Sequence, residues 1–158
     1  MYEKLTPSMD KVIKTSQRIA RDYDQDYVGT EHLLLAIIEE KAGIGAAILK
    51  DRGVTLGNAK TAVDKLMKKS MEDTWVFGRL PGTPHFRNVM SVAIEEARQL
   101  ESKVVCTEHL LVALAREDGS VAQAALQELG LRAGQIRAEI TKRMESPATG
   151  VTSGDGGE

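Results

Sequence analysis

The sequence Thr-Glu-His-Leu-Leu occurs twice in this chain, at residues 30–34 and 107–111. The same offset of 77 residues aligns many further positions without a gap. They include the two Thr-Pro pairs, at 6–7 and 83–84, and the glycines Gly53 and Gly130. Self-similarity at one fixed offset indicates a structural unit that is used twice. We therefore predict two copies of one unit, joined by a short bridge and followed by a tail.

Both copies have the apolar spacing of amphipathic helices. Four helices are predicted in each, so that repeat one covers about residues 5–68 and repeat two about residues 83–145. The first helix of each repeat should start at its Thr-Pro pair, because a threonine oxygen caps a helix and proline suits the first helical position. Thr30 and Thr107 are predicted to cap the second helices in the same way.

The third helices are predicted at about 44–50 and 121–129, each stopped by a glycine of the kind found just past helix ends. The fourth helices are predicted at about 56–68 and 132–144. No segment alternates with a period of two for long, so the pattern predicts no sheet. The predicted fold class is all-α: two tandem four-helix repeats packed as one pseudo-two-fold domain of eight helices.

Composition excludes several functional classes. The chain has 158 residues, a net charge of −2 and a pI near 6.0, whereas nucleic-acid-binding domains usually carry a basic face. One cysteine permits no internal disulfide, and the sequence contains neither an apolar signal region nor a membrane-length apolar run. We expect a cytoplasmic protein without nucleic-acid or membrane partners.

An inter-repeat loop is predicted at 69–82, around Trp75 and Phe77, and a disordered tail at 146–158.

Motifs for catalysis are absent or incomplete. The segment 53–61 approaches a phosphate-binding loop, but its second glycine comes one residue early and two residues separate it from the lysine. The three histidines have no known metal-ligand spacing, and those in the repeated string are interpreted as partly buried residues bonded to the neighbouring loop. A catalytic Cys106 would need a base such as His109. Because Gly29 is its repeat partner, Cys106 is interpreted as a small replacement residue, and we predict no enzyme, cofactor or metal.

Two acidic residues, Glu31 and Glu108, allow two interpretations. Each stands in the first turn of a predicted helix, where a negative charge complements the helix dipole by about 0.3–1 kcal/mol at a surface. Alternatively, the duplication places two equivalent carboxylates near the groove between the halves. Carboxylates bind a guanidinium group in a bidentate manner, so such a site would suit arginine. Local reasoning favours the first interpretation.

The two segments Val28–Leu34 and Val105–Leu111, with their shared Thr-Glu-His-Leu-Leu strings, resemble the Clp N-terminal repeat. The resemblance extends over about residues 1–145 and is strongest to the N-terminal domain of ClpC-type AAA+ unfoldases. It implies an eight-helix domain that binds substrates and adaptor proteins above an ATPase ring. In ClpC relatives this domain also recognises phosphorylated arginine. The matching positions here are Glu31 and Glu108, with Thr30 and Thr107 beside them, whereas Cys106 departs from the usual glycine.

The resemblance leads us to expect a non-enzymatic module that recognises substrates or adaptors for an ATP-dependent Clp protease. The expected partners are a Clp ATPase, a Clp peptidase, adaptors and protein substrates. The alternative is a structural accessory of the ClpT type, which would dock on a Clp complex and stabilise it. The sequence contains neither ATPase nor protease motifs, which leaves open both a stand-alone protein and a part of a longer unfoldase, and we expect the former.

Overall fold

A computed structural model describes residues 4–41, 43–67 and 82–145 of the chain. Within these ranges the chain forms eight helices and two strands of two residues each. The elements are β1 (Lys4–Leu5), α1 (Pro7–Asp22), α2 (Thr30–Glu40), α3 (Gly43–Asp51), α4 (Leu56–Met67), α5 (Pro84–Gln99), β2 (Val104–Val105), α6 (Thr107–Arg116), α7 (Val121–Glu128) and α8 (Ala133–Glu145). The prediction of an all-α chain with eight helices is confirmed.

The predicted starts of the first helices are also confirmed. The Thr6 hydroxyl accepts a hydrogen bond from the Met9 N–H at 3.2 Å, and the Thr83 hydroxyl accepts one from the Phe86 N–H at 3.0 Å. Proline follows each threonine at the first helical position. After α3 and α7 the chain turns at Gly53 and Gly130, whose φ angles of 80° and 85° favour glycine.

Helices α2 and α6 form the centre of the molecule. Burial is unbroken from Thr30 to Ile37 in α2 and from Thr107 to Ala115 in α6. A helix that is buried on all sides must be surrounded by other elements. Helix α1 packs on α2 and α5 packs on α6, which covers one side of each central helix.

The two repeats interlock because the third helix of each packs against the central helix of the other. Helix α3 contacts α6, and α7 contacts α2. Short backbone pairings follow the same symmetry. Strand β1 lies parallel to β2, and Val28 pairs in parallel with Gly82. The prediction of no sheet therefore needs a small correction: these pairings are too short to produce a visible period-two pattern in the sequence.

The expectation that Thr30 and Thr107 cap their own helices is wrong. The N-cap positions are Gly29 and Cys106, and each threonine is the first helical residue. The Thr107 hydroxyl accepts a hydrogen bond from the Gly45 N–H at 3.1 Å, at the start of α3. Symmetrically, the Thr30 hydroxyl accepts one from the Ala122 N–H at 3.2 Å, at the start of α7. Each threonine therefore caps a first-turn N–H of the third helix in the other repeat, and at α7 it does so beside the N-cap Ser120.

These crossed caps lead to a prediction about stability. Thr30→Val and Thr107→Val keep the side-chain shape but leave a buried N–H without its acceptor, which costs about 1–3 kcal/mol at each site. Urea denaturation followed by circular dichroism measures the loss. Thr141→Val, at an exposed position of α8, is the matched control and should change stability by less than about 0.5 kcal/mol. Equal losses in all three variants would contradict the capping role.

The predicted inter-repeat loop lies outside the described residues except for Gly82, and the predicted tail lies wholly outside them. Among the helices that the structure describes, none combines the length and apolar character needed to cross a bilayer.

Candidate functional site

The N-terminal ends of helices α2, α5 and α7 converge on one cavity. Its volume is about 260 Å³, and it is partly open to solvent. Repeat one contributes α2, whereas repeat two contributes α5 and α7, so the cavity exists only because the repeats interlock. The lining residues are Tyr27, Thr30, Glu31, Thr83, Pro84, His85, Gly119 and Val121.

Glu31 supplies a buried carboxylate to this cavity. The residue is only 3% exposed and lies in the first turn of α2. Its carboxylate folds back over Gly29, because a Cβ atom added to that glycine would lie 2.5 Å from Glu31 Oε1 and 2.9 Å from Cδ. The missing side chain at Gly29 is therefore the physical condition for this carboxylate position. The partial positive charges of the helix N-termini favour a negative charge here.

The histidine of each repeated string completes the cap of its helix. Nδ1 of His32 accepts a hydrogen bond from the Gly29 N–H at 2.8 Å, and Nδ1 of His109 accepts one from the Cys106 N–H at 2.9 Å. Both rings are buried, more completely than the sequence suggested. Because Nδ1 is an acceptor, the proton of each neutral ring resides on Nε2.

Burial strongly favours this neutral form. Removal from water lowers the pKa of His32 from 6.5 to about 4. Burial likewise lowers the pKa of His109 to about 4, although the charge of Glu96 acts in the opposite direction. In repeat one, Nε2 of His32 lies 4.0 Å from Glu31 Oε2, so the protonated nitrogen faces the carboxylate without a direct hydrogen bond.

His85 lies at the rim of the cavity, in the first turn of α5. Its Nδ1 lies 2.6 Å from Glu117 Oε2, and Asn88 donates to the other oxygen of Glu117 at 2.7 Å. The ring passes close to Gly119, where an added Cβ would lie 3.8–3.9 Å from its Cε1 and Nε2 atoms. These contacts fix the ring at the entrance with Nδ1 turned toward Glu117.

The equivalent place in repeat two is built differently. Glu108 is buried, 8% exposed, and Cys106 stands where repeat one has Gly29. Sγ of Cys106, a carboxylate oxygen of Glu108 and a ring nitrogen of His109 lie within 4.8 Å of one another. Since Cys106 has a Cβ atom, Glu108 cannot take the folded-back position that Gly29 permits to Glu31. The two carboxylates are equivalent in sequence but have different surroundings.

The cap bond also restricts what Cys106 and His109 can do together. Nδ1 of His109 is committed to the Cys106 N–H, and Nε2 carries the proton. A general base or a metal ligand needs a lone pair on the ring nitrogen that it uses. The ring would have to break its cap bond and move its proton before taking either role. The arrangement therefore suits a helix cap better than a nucleophile or a metal centre.

Of the residues singled out by sequence, Thr30 and Glu31 line the cavity together, whereas Thr107 and Glu108 occupy the corresponding place in repeat two. The four do not form one paired acidic site around the described cavity. The contributions of His85 and Gly119 were missed, because they lie far from Glu31 in the chain. The only available signal was the Thr-Pro start just before His85, which marks a helix N-terminus.

Comparison with known proteins agrees with this architecture. Residues 4–154 match the family described as the Clp repeat (R) N-terminal domain. The chain is 36% identical over 157 residues to the chloroplastic chaperone protein ClpC2 of Oryza sativa subsp. japonica, covering 99% of this chain and 17% of that protein. The chain thus spans about a sixth of the length of this curated relative.

Solved structures share the fold. The N-terminal domain of the chaperone ClpD from Arabidopsis thaliana superposes with a TM-score of 0.71 at 24% identity, covering 90% of this chain and 95% of that one. A ClpV N-domain, solved in complex with a VipB peptide, gives a TM-score of 0.65 at 17% identity, covering 84% and 82%. The duplicated string, the interlocked four-helix repeats and the match along almost the whole sequence lead to one conclusion: this chain belongs to the Clp repeat N-terminal domain family.

Proposed function

We propose that this domain is a non-enzymatic protein-binding module that recognises substrates or adaptors for an ATP-dependent Clp unfoldase or protease. We propose further that the cavity at Glu31 receives a phosphorylated arginine side chain. The observation that carries the proposal is a buried carboxylate placed where three helix N-termini meet.

The carboxylate of Glu31 is the expected partner of the guanidinium group. Guanidinium binds a carboxylate through two parallel N–H···O bonds, and such charge-assisted bonds are about twice as strong as neutral ones. Burial of Glu31 removes competing water and strengthens the attraction. An unmodified arginine would pair with this carboxylate but would not use the positive ends of the helix dipoles.

The phosphoryl group is the expected partner of the helix ends. N-termini of helices are anion-binding sites, because unpaired N–H groups and the helix dipole both favour negative charge. Helices α2, α5 and α7 direct the positive ends of their dipoles toward one small volume, and at α7 the Ala122 N–H is already bonded to Thr30. A ligand that joins a cation to an anion over a few bonds fits this combination better than either charge alone. Phosphoarginine has that chemistry.

The family and the fold support the wider role. The curated relative is a chaperone protein, and the ClpV N-domain of similar fold was solved with a bound peptide. A protein-binding domain needs no catalytic residues of its own. This agrees with the structural role of His109, whose Nδ1 accepts the cap hydrogen bond of α6. Coupling to an ATPase ring and a Clp peptidase is part of the proposal.

Calorimetric titration with a short peptide carrying one phosphoarginine tests the site. We expect saturable binding by the wild-type domain and much weaker binding of the same peptide with unmodified arginine. Glu31→Gln preserves shape but removes the charge, and affinity should fall by about 30-fold or more, as for a buried charged pair that loses one partner. Unchanged affinity in Glu31→Gln would remove this residue from the site.

Gly29→Ala is a second variant that leaves Glu31 itself intact. The backbone at Gly29, with φ −112° and ψ −178°, accepts alanine. The new Cβ atom would, however, force the Glu31 carboxylate out of its position. Affinity should therefore fall while the unfolding temperature changes little. Glu108→Gln measures whether the differently built site of repeat two contributes. If the domain does not bind the phosphoarginine peptide but still co-purifies with a Clp complex, the structural-accessory role is favoured instead.

A further inference from the structure

A second concave surface lies at the opposite end of helix α2 from Glu31. It is a groove of about 460 Å³ between the end of α2, helix α3 and the start of α4. This volume is within the range of about 300–1,000 Å³ that is usual for ligand pockets. Glu31 and the groove are separated by most of α2, about 15 Å at 1.5 Å per residue. Its lining residues are Ile38, Lys41, Gly43, Ala46, Ala47, Leu49, Lys50, Val54 and Thr55.

The groove is open because repeat one has Ala46 where repeat two has Gln123. In repeat two the Gln123 amide donates to Ala115 O at 3.1 Å and to Asp118 Oδ1 at 2.7 Å. It also accepts from the Gly119 N–H at 3.3 Å. This side chain spans from α7 to the end of α6 and occupies the place that corresponds to the groove. The methyl group of Ala46 leaves the same place empty in repeat one.

The rim of the groove is positively charged. Lys41 and Lys50 are both exposed, and within the described residues neither ammonium group forms an ion pair. The neighbouring acids have other partners: Glu39 pairs with Arg18, Glu40 accepts from Thr15, and Asp51 pairs with Arg143. The floor is formed mainly by aliphatic side chains, among them Ile38, Leu49 and Val54.

We propose that this groove binds an acidic peptide segment of a partner protein, with an aliphatic side chain seated on the apolar floor and carboxylates at Lys41 and Lys50. The chemistry follows from the two parts of the surface: apolar area favours an aliphatic group, and two lysines that have no ion pair among the described residues favour flanking acids. The inference does not depend on arginine binding at Glu31, because it concerns other residues at the other end of α2.

Fluorescence anisotropy with a labelled peptide tests the proposal. The probe has two central leucines flanked on both sides by aspartate and glutamate, and the comparison peptide has asparagine and glutamine instead. We expect saturable binding of the acidic probe with a Kd below about 1 mM, weakening by about fivefold or more between low and high salt as the charges are screened. The neutral peptide should bind at least about tenfold more weakly.

The duplication supplies matched variants. Ala46→Gln introduces the residue that fills this place in repeat two and should reduce affinity by about tenfold or more, since glutamine is well tolerated in helices. Lys41→Glu with Lys50→Glu should abolish binding of the acidic probe without filling the groove. Gln123→Ala opens the corresponding place in repeat two, where Asp118 replaces Lys41, and should leave affinity unchanged.

Loss of binding in Ala46→Gln and in the charge-reversed variant, with retention in Gln123→Ala, would support the proposal. Three results would overturn it: no saturable binding, equal binding of the neutral peptide, or equal binding by the charge-reversed variant. Sedimentation that shows self-association sensitive to Ala46→Gln would also overturn it, because a second copy of the chain would then occupy the groove. If Ala46→Gln lowers stability, the charge-reversed variant still decides the matter.

Discussion

Acidification from pH 7 to pH 4 is expected to remove about 6 kcal/mol of folding free energy through two histidines, His32 and His109. Both are buried as neutral rings whose Nδ1 atoms accept helix-cap hydrogen bonds, and burial lowers both pKa values from 6.5 to about 4. A shift of this size corresponds to about 3 kcal/mol for each ring. The sum is comparable to the whole stability of a typical domain, about 5–15 kcal/mol.

The sign follows from proton binding. Between pH 6.5 and 4 the unfolded chain holds a proton on each histidine, whereas the folded chain does not. Falling pH therefore favours the unfolded state. Above pH 6.5 the histidines are neutral in both states and do not lower the free energy of unfolding. Below pH 6.5 the free energy of unfolding falls progressively as the pH approaches 4. Glu96 should not add to this loss at pH 5: burial raises the pKa of its carboxyl, but hydrogen bonds from Arg137 and Arg116 outweigh burial and hold the pKa below its usual value.

Urea denaturation at several pH values between 7 and 4.5 measures the effect. The control is His32→Gln with His109→Gln, because a glutamine oxygen at this helical position can accept the same cap N–H but does not titrate in this range. The double variant should start less stable at pH 7, since it repacks two buried sites, and should show a much flatter pH dependence. A wild-type stability that is constant from pH 7 to pH 4.5 would refute the prediction.

Truncation of a leucine in either central helix is expected to produce the largest loss from a single substitution. Leu34 in α2 and Leu111 in α6 occupy equivalent places in the two repeats, and neither is exposed. Each alanine variant should lose about 3–5 kcal/mol, from lost burial together with the cavity that remains. For a domain of this size that corresponds to a fall in unfolding temperature of about 6–20 °C. Differential scanning calorimetry measures both quantities.

Leu129→Ala provides the comparison at a partly buried position after α7. Water and neighbouring side chains can fill the space there, so the loss should be about 1 kcal/mol. A single unfolding transition in both the Leu34 and Leu111 variants would indicate that the two repeats form one cooperative unit, as expected from their crossed packing. If Leu129→Ala were as destabilising as Leu111→Ala, the central helices would not dominate the core.

Local rules predicted the helices well but failed at the caps of α2 and α6. The Thr-Pro starts were correct because cap and proline preferences act within three or four residues. Thr30 and Thr107 satisfied the same rule, but their hydroxyls accept hydrogen bonds from backbone N–H groups of α7 and α3, more than 60 residues away in the chain. Histidine replaced the usual glutamate or glutamine that reaches back to the cap N–H, a substitution that the common capping pattern does not include.

The candidate site was predictable only in part. The duplication and the family resemblance selected Glu31, which lines the cavity. Neither could reveal that His85 and Gly119 complete its wall, since helical periodicity contains no information on which helix ends meet. The groove at Ala46 was hidden for the same reason. Its significance becomes clear only when Gln123 is seen to fill the equivalent place.

The amino-acid sequence by itself determined that a four-helix unit is used twice, approximately where its helices begin and end, and which family it belongs to. These properties depend on short-range preferences and on self-similarity, both of which are contained in the order of residues. Only the tertiary structure decided that the two identical strings have different surroundings. The residues around the strings differ at equivalent positions of the two repeats. Gly29 corresponds to Cys106, Ser8 to His85, and Ala46 to Gln123. The chemistry of a buried side chain is set by neighbours distant in sequence, and interlocked packing alone brings those neighbours together.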